Sequence, residues 1–347
     1  MSYNMTPRER DEAIQQGRVP DRFPAIPFMG ELKCEISGVS ARAFWEDEET
    51  MVKTECIAYH RFGYDRVVIG PNTNGFSEAL GLELIFRGQE PPRRSVPIVR
   101  AAEDLDLLPS GEEVIQRLLR FQNAASALVS EIGNEVPIEM SLGGPFTIAS
   151  GLRGIEQLLM DVRKNPEFVH RLMRTVVDVQ KQYVDAVAGL GVGTAMADPV
   201  ASPVLIGPKT YERFVYPYTL ELTRYIKETI GRGTSLHMCG KTYSIWKFIK
   251  EYPLQEISLD NIVDLRRAAD ELGDYVPIAG NVDPVNVMHY GTPAEVREAV
   301  KNCIDAGKHA KCGFHLATGC DIATGTPFEN IDAFMSAAEE YGKTMNV

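Results

Sequence analysis

Short apolar runs alternate with longer amphipathic stretches along most of this chain. Pro24–Met29, Arg66–Ile69, Val136–Ser141 and Gly193–Ala197 read as strands, as do Ser235–Met238, Glu256–Leu259, Val276–Ala279 and Cys312–Ala317. Helical periodicity occupies Gly111–Ile132, Asn165–Leu190, Pro208–Ile230, Pro293–Ala306 and Pro327–Tyr341. In the last four a proline sits at or near the start, where its missing N–H costs nothing. Strands alternating with helices predict a parallel sheet, and eight such units fit an α/β fold of the (β/α)₈ TIM-barrel type, with a doubly wound open sheet as the rival. The pattern is read as a single barrel domain over residues 1–347. Residues Gly70 to Ser110 show weak periodicity and read as an insertion or lid-like segment after the second strand.

Composition narrows the function classes. A chain of 347 residues, 44% hydrophobic, is long enough for a large core. Its net charge of -12 argues against a nucleic-acid or anionic-membrane partner, since either favours a basic face. No stretch reaches the roughly 20 apolar residues that span a bilayer. The charged start, Met1 to Arg18, lacks the apolar core of a secretion signal. Six cysteines are too sparse for a disulfide scaffold, so a cytoplasmic protein with reduced thiols is expected.

Three of the candidate chemical residues stand at predicted strand ends. His237-Met238-Cys239 ends the fifth strand, and Cys320 follows the eighth. Residues at i and i+2 of a strand face one way, so His237 and Cys239 project to one side. At the carboxyl end of a barrel strand, that side can be the active-site pocket. Three N and S ligands with one open position describe a catalytic zinc site. The spacing alone equally allows inert, buried cysteines.

Ordered segments then carry a resemblance. They are Gly144-Pro145-Phe146-Thr147, Ala197-Asp198-Pro199-Val200-Ala201-Ser202-Pro203, Leu236-His237-Met238-Cys239-Gly240, Gly280-Asn281-Val282, and Thr318-Gly319-Cys320-Asp321-Ile322-Ala323 running on to Thr326-Pro327-Phe328-Glu329-Asn330-Ile331. In these the chain resembles the uroporphyrinogen decarboxylase superfamily, and more closely its zinc-dependent branch, the methylcobalamin:coenzyme M methyltransferases. The resemblance implies a barrel, with zinc on His237, Cys239 and Cys320. It also implies a small thiol substrate and methylcobalamin carried by a separate corrinoid protein. The Arg-Gln-Ala-Gly-Arg segment by which true decarboxylases grip porphyrinogen carboxylates is absent; Arg22-Phe23-Pro24-Ala25-Ile26-Pro27 leads into Phe28-Met29-Gly30-Glu31 instead. An eight-carboxylate substrate needs cationic partners, so decarboxylation is disfavoured.

Zinc can activate a thiol for attack on a methyl group, or run the reverse reaction as a Lewis acid on a methyl ether, thioether or amine. That leaves a demethylating methyl-donor:corrinoid methyltransferase as the main alternative and a non-catalytic zinc- or corrinoid-binding protein as a further one. Asp260 is expected as a fourth ligand, as acceptor for the His237 ring N–H, or as a helix cap. Asp198 reads as a cap or a pocket acid, and the resemblance favours the pocket. Asn281 and Asp283 are candidates for substrate contact, although Asp283 before Pro284 also suits a turn. Met140 is expected to wall the pocket. His315 reads as a core or pocket-wall histidine, and Cys303 and Cys312 as core.

Overall fold

The computed structural model describes residues 5–344. Its strands are β1 Ala25–Ile26, β2 Val67–Pro71, β3 Leu84–Arg87, β4 Glu90–Arg94, β5 Ile138–Gly143, β6 Gly193–Ala197, β7 Ser235–Met238, β8 Glu256–Leu259, β9 Ile278–Val282 and β10 Phe314–Thr318. All but β3 and β4 join one sheet in the order β1-β10-β9-β8-β7-β6-β5-β2, and neighbouring strands run parallel. The two ends of that order meet beside β1. There the Asp65 N–H donates to the Ala25 carbonyl at 2.9 Å, and the Ala25 N–H donates to Asp65 Oδ2 at 2.7 Å. The result is the (β/α)₈ barrel expected from the strand-helix alternation.

Alternation along the strands separates two environments. Ile138 and Met140, Leu236 and Met238, and Ile257 and Leu259 all join the large apolar core with the helices. Each such buried side chain is stabilised by roughly 1.5–3 kcal/mol. Ile26, Ala279 and Ala317 form a separate small cluster. Arg66, Glu139, Ser235 and Glu256 occupy alternate positions facing the barrel interior, where they line one cavity with His237 and Ser258.

Those charged residues form a buried network. Arg66 pairs with Glu256 and, through Nε, with Glu139 Oε1 at 3.3 Å. His315 Nδ1 is bonded to Glu256 Oε2, so His315 is tied into the barrel floor. Burial pushes the Glu256 carboxyl up, but Arg66 and His315 outweigh it and hold it well below the usual carboxylate range. Glu139 is raised by its burial despite Arg66 and Arg232.

Between β2 and β5 the chain forms helix Asn72–Ala79, the β3–β4 hairpin and a 3₁₀ turn at Ala102–Leu107, followed by helices Glu112–Arg117 and Leu119–Ile132. Arg94 ties the hairpin down, donating from Nε to Asn74 Oδ1 at 2.9 Å and from Nη1 to the Thr147 carbonyl at 3.1 Å. The helix expected over Gly111–Ile132 is therefore two, interrupted at Leu118. The pattern over Pro208–Ile230 is also broken, by a π turn at Tyr211–Val215. Pro217 has no N–H to offer the i−4 carbonyl, so a continuous α ladder cannot run through it. Cys312, expected in the core, is exposed, because β10 starts two residues later than the apolar run.

Candidate metal centre

The carboxyl ends of β7 and β10 bring His237, Cys239 and Cys320 together. One potential ligand atom from each lies within 4.8 Å of the others. His237 Nε2 is 3.2 Å from Cys239 Sγ, while Nδ1 is 3.0 Å from Ser258 Oγ. The hydroxyl thus occupies one ring nitrogen and leaves the other facing the sulfurs. Zn–N and Zn–S bonds of about 2.1 and 2.3 Å place tetrahedral donors roughly 3.5 Å apart, so the cluster fits a zinc ion.

Two glycines make the approach of the sulfurs possible. Gly240, at φ +79°, has no room for a Cβ, which would fall 2.4 Å from Ser202 Oγ. A Cβ on Gly319 would lie 2.4 Å from the Asn261 backbone nitrogen. The Gly319 N–H donates to the Val282 carbonyl at 2.8 Å, and Ile322 N–H to Phe28 O at 2.7 Å, which pins the Cys320 loop between β9 and the chain after β1. The Phe28 ring packs near His237 at 6.3 Å between centroids.

The donor chemistry agrees with a divalent cation. Without one, the two sulfurs compete for a proton. The hydrogen bond from Cys239 holds Cys320 below the usual thiol range, and that contact together with burial pushes Cys239 above it. A cation that takes both as thiolates removes this conflict.

Around the triad, the other predicted residues fall in different places. Asp260 accepts from the Gly240 N–H through Oδ2 at 2.7 Å and from the Ile262 N–H through Oδ1 at 3.1 Å. Both oxygens therefore hold backbone, including the turn that carries Cys239, and the His237 ring turns to Ser258 instead. Asp198 is 1% exposed. Its Oδ1 accepts from Thr147 N at 2.8 Å and from Thr147 Oγ1 at 2.6 Å, so the carboxylate is aimed at the start of helix Pro145–Arg153. Burial pushes its pKa up to about 6 against those hydrogen bonds. Asn281 donates from Nδ2 to the Asp260 carbonyl at 3.0 Å and to the Val263 carbonyl at 2.8 Å. Asp283 Oδ1 accepts from Val285 N and Asn286 N, each at 2.8 Å, and starts the following turn. Met140 is fully buried in the outer core, and its neighbours Glu139 and Ser141 face the cavity.

The cavity itself is about 240 Å³ and runs from His237 and Cys320 down the barrel interior. Sequence reasoning did not single out Ser258, although it stands two residues before Asp260 and pairs in register with His237. Phe28 and Glu31 were also missed as pocket residues, since only the closed barrel places them beside the triad, and so was Asp321, although it directly follows Cys320.

The comparison with known families decides the lineage: the profile of uroporphyrinogen decarboxylase (URO-D) matches residues 6–341. The chain belongs to the URO-D family. Within that family it is 29% identical to a methylcobamide:CoM methyltransferase, MtbA, of Methanosarcina acetivorans, over 97% of this chain and 98% of the relative. It is 26% identical to a uroporphyrinogen decarboxylase of Vibrio campbellii, over 82% of this chain and 81% of that one. A solved methyltransferase from Methanosarcina mazei shares the fold with a TM-score of 0.87 at 22% identity, covering 97% of this chain and 99% of its own. Among the described residues, no helix is long and apolar enough to cross a membrane.

Proposed function

We propose that this URO-D family member is a zinc-dependent methyltransferase that moves a methyl group between methylcobalamin on a corrinoid protein and a small thiol. The observation that carries this reading is the His237-Cys239-Cys320 cluster at the barrel mouth, three N and S donors opening on a cavity. The full-length similarity to methylcobamide:CoM methyltransferases supports the reaction class.

When bound, zinc supplies the Lewis acidity that keeps a substrate thiol as thiolate at neutral pH. The chain's own residues hold the ligands and shape the space. Ser258 fixes the imidazole so that Nε2 points to the cluster. Asp260 fixes the Gly240 turn and with it Cys239, and Asn281 ties the Asp260 carbonyl to that of Val263. Asp198 anchors the loop after β6 to helix Pro145–Arg153, and its backbone N–H donates to the His237 carbonyl at 3.1 Å. These are positioning roles. The Phe28 ring packs beside His237 on one wall of the same cavity.

Porphyrinogen decarboxylation is disfavoured by the cavity. Among the described residues that line it, the cations are Lys33 and Arg66, and both are already paired with carboxylates. The test is zinc content together with methylcobalamin consumption, followed by cobalt absorbance, across a panel of thiols. About one zinc per chain and thiol-dependent loss of methylcobalamin are expected. No loss with any thiol overturns the thiol-methylating reading.

A further inference from the structure

The barrel sheet has one seam. β1 pairs with β10 and β2 with β5, and among the described residues no ladder joins β1 to β2. The cavity passes through this seam. Inside the barrel it is lined by His237 and Glu256, and outside the sheet by Phe44, Trp45, Met51 and Phe121. Those four belong to helices Ala41–Glu46, Glu48–Phe62 and Leu119–Ile132, and Trp45 and Phe121 meet edge to face with ring centroids 5.2 Å apart. The inner chamber at the candidate metal centre therefore continues into an outer chamber with an apolar wall. Methyl transfer itself needs only the inner one.

Two polar groups of the outer chamber are incomplete. Glu55 and Tyr64 are 0% and 3% exposed and both line the cavity, yet Glu55 Oε2 and the Tyr64 hydroxyl have no hydrogen-bond partner among the described residues. The other carboxylate oxygen, Oε1, is taken by Lys33, whose Nζ also lies 3.5 Å from the Val68 carbonyl oxygen of β2 and so stands at the seam. Burial and the nearby charge of Glu55 raise the Tyr64 phenol, which stays protonated. Buried polar atoms of this kind are costly unless something completes them. A hydroxyl completes both, accepting from Tyr64 and donating to Glu55 Oε2. It serves equally when Glu55 carries its proton, because the acid then donates and the Tyr64 oxygen accepts.

Resting on the thiol reading above, we propose that the outer chamber is the specificity half of the substrate site, and that the substrate thiol carries an apolar body ending in a hydroxyl, seated at Glu55 and Tyr64. The sulfur then lies at the His237-Cys239-Cys320 cluster, and the apolar body runs through the seam against Trp45, Met51 and Phe121. Apolar burial there supplies affinity, and the polar pair fixes which end points inward. A thiol without the hydroxyl leaves that pair unfilled.

The test measures binding separately from methyl transfer. Zinc-loaded protein is titrated calorimetrically with the methylated forms of two thiols: para-(methylthio)phenol, which carries the hydroxyl, and methylthiobenzene, which lacks it. The phenol is expected to bind about tenfold tighter, since its analogue leaves both buried groups unpaired. Tyr64→Phe, checked for retained zinc, removes a hydroxyl that has no partner in the free protein, so the fold should hold while the ratio falls to about threefold or less. Trp45 reports where the ligand sits. The chain has two tryptophans, so in Trp246→Phe protein the emission comes from Trp45 alone and should change on saturation with the phenol. Equal binding of the two ligands overturns the proposal and assigns the polar pair to water. A ratio unmoved by Tyr64→Phe, or Trp45 emission unchanged at saturation, overturns it as well. Because thioether binding needs no methyl transfer, a protein that binds in this order and consumes no methylcobalamin would refute the reaction and leave the chamber assignment standing. Methyl transfer to thiols with no preference for the hydroxyl would do the reverse.

Discussion

The His237 imidazole bridges Ser258 and the cysteine pair, with Nδ1 3.0 Å from Ser258 Oγ and Nε2 3.2 Å from Cys239 Sγ. The pairing follows from register, because His237 and Ser258 are neighbours across β7 and β8 and share the inner face. Partners of this kind fix ring orientation, and losing one typically lowers metal affinity by about 10–100-fold. Ser258→Ala should therefore lose zinc to a competing chelator at correspondingly lower chelator concentration. Ser258→Thr, which keeps the hydroxyl, should recover most of the affinity. Equal zinc affinity in wild type and Ser258→Ala would remove Ser258 from the site.

Gly319 matters because of space rather than backbone angle. A Cβ there would fall 2.4 Å from the Asn261 nitrogen, and backbone cannot swing aside as a side chain can. Gly319→Ala should displace the Cys320 loop, destabilise the fold by about 1–3 kcal/mol and lower zinc affinity at least several-fold. Zinc stoichiometry and urea unfolding midpoints measure the two effects. Unchanged values would show that the loop tolerates the methyl group.

Most of the barrel could be read from the chain. β6, β7 and β8 match the expected runs residue for residue, with a polar residue or glycine close to each end. The runs at Val276–Ala279 and Cys312–Ala317 began too early, since apolar residues in the connection from a helix into a strand carry no mark of where hydrogen bonding starts. The His237-Cys239-Cys320 cluster was suggested by strand-end placement and singled out by the family-like segments around it, since the spacing alone equally allowed inert cysteines. Its surroundings were less legible. Asp198 and Asp260 announce themselves as acids at strand ends, yet their carboxylates hold backbone N–H groups, and nothing local distinguishes a cap from a pocket acid. Ser258 depends on the register between β7 and β8, which the sequence pattern of either strand alone does not give.

Asp198 predicts a pH effect of definite sign. Its pKa is raised to about 6 by burial, from an ordinary carboxyl value near 3.8. The folded state therefore binds more protons than the unfolded state across that interval, so this group's contribution falls as pH rises from about 4 to 6. Two pKa units correspond to about 3 kcal/mol. Asp198→Asn should flatten this part of the stability profile. Chemical unfolding at several pH values between 4 and 7 measures it, and parallel profiles for wild type and variant would contradict the assignment.

Glu256 has the opposite sign. Arg66 and His315 hold its carboxyl well below the usual range, so its stabilisation is present above about pH 4.5 and is lost as the pH falls toward its folded value. The contribution comes from a network in which Arg66 also leans on Glu139 and Ser235, so removing the Glu256 charge leaves the buried guanidinium with Glu139 at 3.3 Å as its carboxylate partner. Breaking a buried pair from one side typically costs about 3–5 kcal/mol, whereas replacing both partners with apolar groups of similar volume can cost little. Glu256→Gln should therefore destabilise strongly at neutral pH and weaken the acid dependence, and Arg66→Met should do likewise. The double variant Arg66→Met/Glu256→Gln should cost clearly less than the two single changes combined. Urea unfolding of all four proteins closes the cycle. Strict additivity would mean that the two residues contribute separately, and that the barrel floor is not held by their pairing.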